Sequence, residues 1–192
     1  MGALRSFFVG WDALRPFLFF GGTSVKKQAK LLAHGALIAA MYAALTHLQN
    51  LLIPGSATWA IQFRASEALC VLAFFTPAAI PGLSVGCFLF NLTFSGALPL
   101  DMLVGTAATA LATGGMYLTR KLRIKGMPLL GLALPAVFNG LLVGWELTVY
   151  IGGGFWLNAL YVALGELGVL FTLGWLLDSL LKRKNLARRL FW

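Results

Sequence analysis

Repeated apolar runs of about 18 or more residues restrict this chain to one class of fold, because roughly 20 apolar residues carry an α-helix across the hydrocarbon core of a bilayer. At 192 residues the length alone would suggest one or two soluble domains. Composition overrules it: 59% of residues are hydrophobic, only 11% are charged, and the mean hydropathy is +0.84. The 22 glycines and 7 prolines agree, since buried membrane helices tolerate both. The expected fold class is all-α, a polytopic membrane protein with no room for a soluble domain.

Six spans are expected, over residues 31–49, 61–80, 83–98, 100–118, 128–150 and 156–181. Pro81-Gly82 reads as the turn between the second and third, and Gly152-Gly153-Gly154 as a flexible link before the sixth. Residues 50–60 form the longest loop, with Pro54-Gly55-Ser56 as turn chemistry and Trp59 near its end. Residues 1–25 are aromatic and basic but too interrupted to span, which suits an interfacial or flexible segment. Asp12, Arg15 and Pro16 break that stretch, and no small-residue cleavage site follows, so it does not read as a signal peptide. The domains expected are thus this segment, a membrane domain over 26–181, and a basic tail over 182–192.

A net charge of +9 could point to nucleic acid, but the positions of the charges point elsewhere. Fourteen of the 15 Lys and Arg residues fall in residues 5–30, 120–125 and 182–189, each beside the end of an apolar run. With six spans, all three clusters lie on one side, which the positive-inside rule makes cytoplasmic, so both termini are expected inside. No basic face interleaved with aromatics is long enough to follow a phosphate backbone. Cys70 and Cys87 fall inside apolar runs and read as small hydrophobes rather than a functional disulfide.

Arg64 is the one positive charge left outside these clusters, three residues from Glu67 and so on the same helical face. A carboxylate at membrane depth costs roughly 2.5–3.5 kcal/mol on insertion scales and calls for a function and a partner; Arg64 is the natural partner for Glu67. The topology also places Asp101 and Glu146 near the outer ends of their spans, and Glu166 about 15 Å into the sixth at helical rise. Asp178, at the cytoplasmic end, reads as a solvated boundary charge. Asn139 lies seven residues before Glu146, on one helix face. Asn158 and Tyr161 form a stripe beside Glu166, and Asn91 adds an amide in the third span. Trp59, Trp145 and Trp156 sit at the outer boundary, where most tryptophans are interfacial anchors and one or two could stack on a ligand. Carboxylates accept paired hydrogen bonds from a planar N–H/NH₂ edge, and aromatic planes sandwich a flat ring. The candidate site therefore suits a polar, planar heterocycle, cationic or neutral, better than a lipid or a metal.

Catalytic readings find less support. His34 and His47 lie near opposite ends of the first span, and Ser66, Ser84 and Ser95 have no convincing histidine partner at similar depth. No G-x-S-x-G elbow, H-E-x-x-H pair or phosphate-binding loop is present. No catalytic residue, cofactor or metal ligand is assigned.

Several motifs in order resemble the QueT family: QFRASEAL (62–69), FFTPAAIPGLSVGC (74–87) followed by Asn91, Asp101 with GTAAT (105–109), Asn139 with VGWEL (143–147), and ALGEL (163–167). The resemblance covers about residues 30–181. It implies a six-helix substrate-binding S component of an energy-coupling factor (ECF) transporter, without catalytic activity of its own. Such a protein would take up a queuosine precursor, a deazaguanine-type base, from outside. It would work in the cytoplasmic membrane with a transmembrane coupling subunit and two cytoplasmic ATPases. S components in general bind substrate in the outer half, under the loop after the first helix, here residues 50–62. Their first helix commonly meets the coupling subunit through an alanine-spaced surface, which falls here on Ala36, Ala40 and Ala44; small residues at that period permit close helix approach. The glycines at 152–154 and the aromatic N-terminus depart from the family pattern. The alternatives are an S component for another vitamin or base, a solitary transporter, and, more remotely, an intramembrane enzyme or scaffold.

The orientation is testable with a single cysteine in place of Lys121. A membrane-impermeant thiol reagent should label it in inverted vesicles and leave it unmodified in intact cells; the reverse pattern would overturn the expected orientation.

Overall fold

The structure, a computed structural model, describes residues 25–56, 63–94, 97, 99–183 and 186–191. Among them the chain is all-helical apart from one isolated β-bridge between Ile124 and Met127. Helix α1 (Val25–Leu52) leads to a 3₁₀ helix (Ala65–Phe74), then α2 (Ala79–Thr93), α3 (Asp101–Thr119) and α4 (Leu129–Tyr150). Helix α5 (Phe155–Arg183) carries a π-helical turn at Leu170–Gly174, and a short α6 (Leu186–Phe191) follows.

Helices α1, α4 and α5 are each long and apolar enough to cross a membrane, and the 3₁₀ helix and α2 are shorter apolar helices. Large side chains such as Leu37, Leu141 and Leu160 are exposed, as expected of a surface that meets lipid tails as apolar as leucine itself. Consecutive helices pack on one another, α1 on α2, α2 on α3, α3 on α4 and α4 on α5.

The second expected span is where the structure departs most from the sequence pattern. Instead of a continuous helix over 61–80, residues 65–74 form a ten-residue 3₁₀ helix, a conformation rarely longer than three or four residues. Ser66 through Phe74 are all buried, against α1, α2, α3 and α5. The larger rise, about 2.0 Å per residue against 1.5 Å, lets ten residues cover roughly 20 Å. Its three-residue turn eclipses positions i and i+3, which lines up Glu67, Cys70 and Ala73.

The turn into α2 comes at residues 75–78, before Pro81-Gly82 rather than at it. Pro81 lies in the first turn of α2, where its missing N–H has no intrahelical acceptor to lose. Gly82 and Gly86, four residues apart, let α2 lie directly on α1: a Cβ at Gly86 would stand 2.8 Å from the Ala39 carbonyl oxygen. Gly140 and Gly144 repeat the arrangement between α4 and α5, a Cβ at Gly144 falling 2.6 Å from the Ala159 Cα. Both are the small-xxx-small pattern of close membrane-helix contact. On α1, Gly35, Ala39 and Tyr42 are buried whereas Ala36, Ala40 and Ala44 are exposed.

Two connections are also more ordered than the sequence implied. Gly152 and Gly153 take φ of 85° and 82°, and the Asn158 side chain donates to the Gly152 carbonyl at 3.0 Å, so the glycine link is a defined turn. Asp178 is not a solvated charge. It is 1% exposed, pairs with Arg123 at 3.2 Å and with Lys182, and Arg123 and Lys182 both also donate to the Gly126 carbonyl. Burial of the carboxylate is offset by two cations brought in from a neighbouring loop and from one turn further along α5.

The glycine contacts carry a prediction. Gly144→Ala forces backbone apart and should cost about 1–3 kcal/mol, lowering the apparent melting temperature in detergent. Gly114→Ala, whose added Cβ meets nothing within 4 Å, should leave it unchanged or raise it. Equal effects of the two substitutions would contradict the packing described.

Candidate functional site

The start of the 3₁₀ helix is held in place from α1. Thr46 donates to the Ser66 hydroxyl at 2.7 Å, and the Gln49 amide works in both directions. Its oxygen accepts the Ala65 N–H at 2.6 Å, while its nitrogen donates to the Ser56 hydroxyl at 2.8 Å and to the Phe63 carbonyl. The Phe63 N–H also reaches the Ser56 carbonyl at 3.0 Å. One side chain thereby ties residue 56 to residues 63 and 65.

This anchoring fixes Arg64 and Glu67, which are 5% and 2% exposed. Glu67 accepts hydrogen bonds from the Tyr42 hydroxyl of α1 and from the Cys70 thiol at 3.1 Å, one 3₁₀ turn away. Arg64 lies within electrostatic range of Glu67 and Asp101, of Glu146 and of Glu166. The carboxylates also influence one another in pairs: Asp101 of α3 with Glu146 of α4, and Glu67 of the 3₁₀ helix with Glu166 of α5. Asp101 also opens α3, where the N-terminal end of the helix dipole favours a negative charge.

The four carboxylates differ in their hydrogen bonding. Glu166 accepts from Asn139 of α4 at 3.1 Å on Oε1, while its Oε2 is buried with no partner. Glu146 is completely buried; its hydrogen-bonding neighbour is the Asp101 carboxyl group, and no amide, hydroxyl or cation among the described residues donates to either of its oxygens. A buried acceptor left unmatched costs about 1–3 kcal/mol, more when charged. The acceptor oxygens that no amide, hydroxyl or cation among the described residues satisfies thus sit on α4 and α5, which pack on one another.

The structure therefore brings Arg64, Glu67, Asp101, Asn139, Glu146 and Glu166 into one cluster, and leaves other sequence candidates outside it. Asn91 uses its amide to donate to the Asp101 backbone carbonyl at 2.9 Å, tying the end of α2 to the start of α3. Asn158 serves the turn after α4, donating to Thr148 and to Gly152. Tyr161 is half-buried on α5. Trp145 is 48% exposed and points away from its buried neighbour Glu146, since adjacent helical residues project about 100° apart. Trp59 lies outside the described residues. Tyr42, Thr46 and Gln49, by contrast, escaped sequence reading. Their hydroxyl and amide groups recur at intervals of three and four on one face of α1, Tyr42 and Thr46 buried and Gln49 partly so, and that spacing is the available signal.

An all-helical bundle with apolar outer surfaces and a buried charged cluster defines a multi-pass membrane protein with an internal polar site. Its family follows from comparison: the model of the QueT transporter family matches residues 32–183. The chain belongs to the QueT transporter family and is a membrane transport protein. No curated protein and no solved structure matches it.

Tyr42→Phe removes one of the donors that satisfy the buried Glu67 carboxylate and should destabilise the folded protein by about 1–3 kcal/mol. Combined with Glu67→Gln it should cost less than the sum of the two single changes, because both act on one hydrogen bond. Additive shifts in melting temperature would show that the bond does not couple α1 to the 3₁₀ helix.

Proposed function

We propose that this protein is the substrate-binding subunit for uptake of a queuosine precursor, a deazaguanine-type base, in an ECF-type ABC transporter. The observation that carries the reading is the Glu146 carboxyl group, fully buried beside Asp101 and without an amide, hydroxyl or cationic donor among the described residues, within a chain of the QueT transporter family. A flat base with an N–H/NH₂ edge offers two parallel donors to such a carboxylate, a charge-assisted pairing stronger than a neutral one. Arg64, Glu67, Asp101, Asn139 and Glu166 complete the polar surround, and Asn91, Asn158, Tyr161, Trp59 and Trp145 serve as supporting or boundary groups.

In this reading the domain spans 26–181, sits in the cytoplasmic membrane and crosses it six times with both termini inside. The 3₁₀ helix and its flanking residues make the second crossing. Irregular backbone at membrane depth is tolerated where protein covers it, and this segment is covered on several sides. The cluster then faces the outer half, below the loop that follows α1. Ala36, Ala40 and Ala44, exposed along α1, provide the close-approach surface for the coupling subunit. The two ATPases supply the energy, so the chain itself performs no catalysis.

Equilibrium binding to purified protein tests the reading. Deazaguanine precursors or queuine should bind the wild type, and Glu146→Gln should weaken binding at least tenfold by removing the charge from the paired hydrogen bonds. No measurable binding of any of these compounds by folded protein would overturn it.

A further inference from the structure

We propose that the turn between α3 and α4 is an interfacial hairpin that binds the headgroups of anionic phospholipids, with Lys121 and Lys125 at the phosphates and Leu122, Ile124 and Met127 in the acyl boundary beneath them. This rests only on the chain being a multi-pass membrane protein and is independent of what the transporter carries.

The hairpin is built rather than slack. Ile124 and Met127 exchange backbone hydrogen bonds at 2.9 and 3.0 Å. Between them Lys125 and Gly126 take φ of 50° and 82°, the left-handed pair that suits a two-residue hairpin. Arg123 and Lys182 both donate to the Gly126 carbonyl and both pair with the buried Asp178, so the tip is fastened to the end of α5. Side chains alternate along the extended stretch that enters the hairpin. Arg123 turns inward, to Asp178 and over the Phe74 ring, whereas Leu122 and Ile124 turn outward and are exposed. Met127, paired with Ile124, is exposed as well.

Location and charge decide what covers this face. Helix α4 is long and apolar enough to cross a membrane and begins at Leu129, two residues after Met127, so the hairpin sits at the boundary of the hydrocarbon core. Exposed apolar side chains there reach acyl chains, and lysines extend past them to the headgroups. Residues 120–130 and 176–191 contain one carboxylate side chain, Asp178, and Arg123 and Lys182 already meet it. Among the described residues neither Lys121 nor Lys125, both exposed, has a carboxylate partner. Lysine is also an unfavourable choice for a left-handed position, which glycine fills at less steric cost; a charge placed there against the preference of the backbone points to a use for the charge. An anionic headgroup supplies the missing negative charge, whereas a zwitterionic one brings a cation with it.

The test titrates delipidated full-length protein in detergent with phosphatidylglycerol and with phosphatidylcholine of the same acyl chains, and follows bound lipid by native mass spectrometry. Phosphatidylglycerol should bind more tightly, and its preference should fall as salt is raised. A lysine near an anionic headgroup contributes about fivefold in affinity. Lys125→Gly, which also relieves the left-handed backbone, should therefore weaken phosphatidylglycerol about fivefold in a protein no less stable, and Lys121→Gln combined with it about twentyfold or more. Lys26→Gln with Lys27→Gln removes two exposed cations from the start of α1 and should change the tightest binding by less than about twofold. An equal loss from that pair would overturn the hairpin as the site in favour of a diffuse effect of charge. Equal binding of the two lipids by the wild type would overturn the proposal outright. So would a doubly substituted hairpin that binds phosphatidylglycerol normally but no longer co-purifies with the coupling subunit, which would make this face a protein contact.

Discussion

Among the described residues one buried guanidinium, that of Arg64, organises the interior. In a low-dielectric surround a charge is tolerable only when opposite charge and hydrogen-bond partners are built around it, and Arg64 is met by carboxylates from the 3₁₀ helix, α3, α4 and α5. Each of those elements has to bring its acidic residue to the same place, so the charge constrains how the helices pack as well as what they bind. The compensation is also excessive: more carboxylates converge than one arginine can neutralise. The carboxyl groups beyond the one that Arg64 offsets have to be balanced by protons or by a bound donor.

Positioning that centre depends on an unusual piece of backbone. The ten-residue 3₁₀ helix is narrower and longer per residue than an α-helix, so it threads the bundle interior while α1, α2, α3 and α5 close around it. Its N-terminal end is fixed by Thr46 and Gln49 of α1, and the Glu67 carboxylate is oriented by Tyr42 of the same helix. Around this axis, Gly82 and Gly86 bring α2 onto α1, and Gly140 and Gly144 bring α4 onto α5. Close backbone contact in these pairs places Asn139 within reach of Glu166. The second pair of helices therefore supplies the site through the same packing that stabilises the fold.

Much of this was legible in the residues. Apolar runs marked the helices, and the isolated carboxylates at 67, 101, 146 and 166 marked the cluster because buried acid is costly and seldom accidental. What could not be read has physical reasons. In an almost uniformly apolar stretch such as 65–74, a repeat of 3.0 leaves the same trace as one of 3.6, so the 3₁₀ conformation left no signature. The Asp178 ion pairs depend on a loop folding back to present Arg123, a contact 55 residues away in sequence. Trp145 is a candidate as an aromatic plane at the outer boundary and Asn158 as part of a stripe beside Glu166, whereas in the fold Trp145 is half-exposed and Asn158 holds a turn. The hydroxyl and amide groups of Tyr42, Thr46 and Gln49 carry no charge to mark them in an apolar helix, although they set the geometry in which the charges act.

The most direct measurement is a structure of the protein with its substrate bound. The account predicts a flat ligand beside Arg64, its N–H/NH₂ edge within hydrogen-bond distance of both Glu146 oxygens. A ligand lodged elsewhere in the bundle, with Glu146 still lacking a donor, would contradict it.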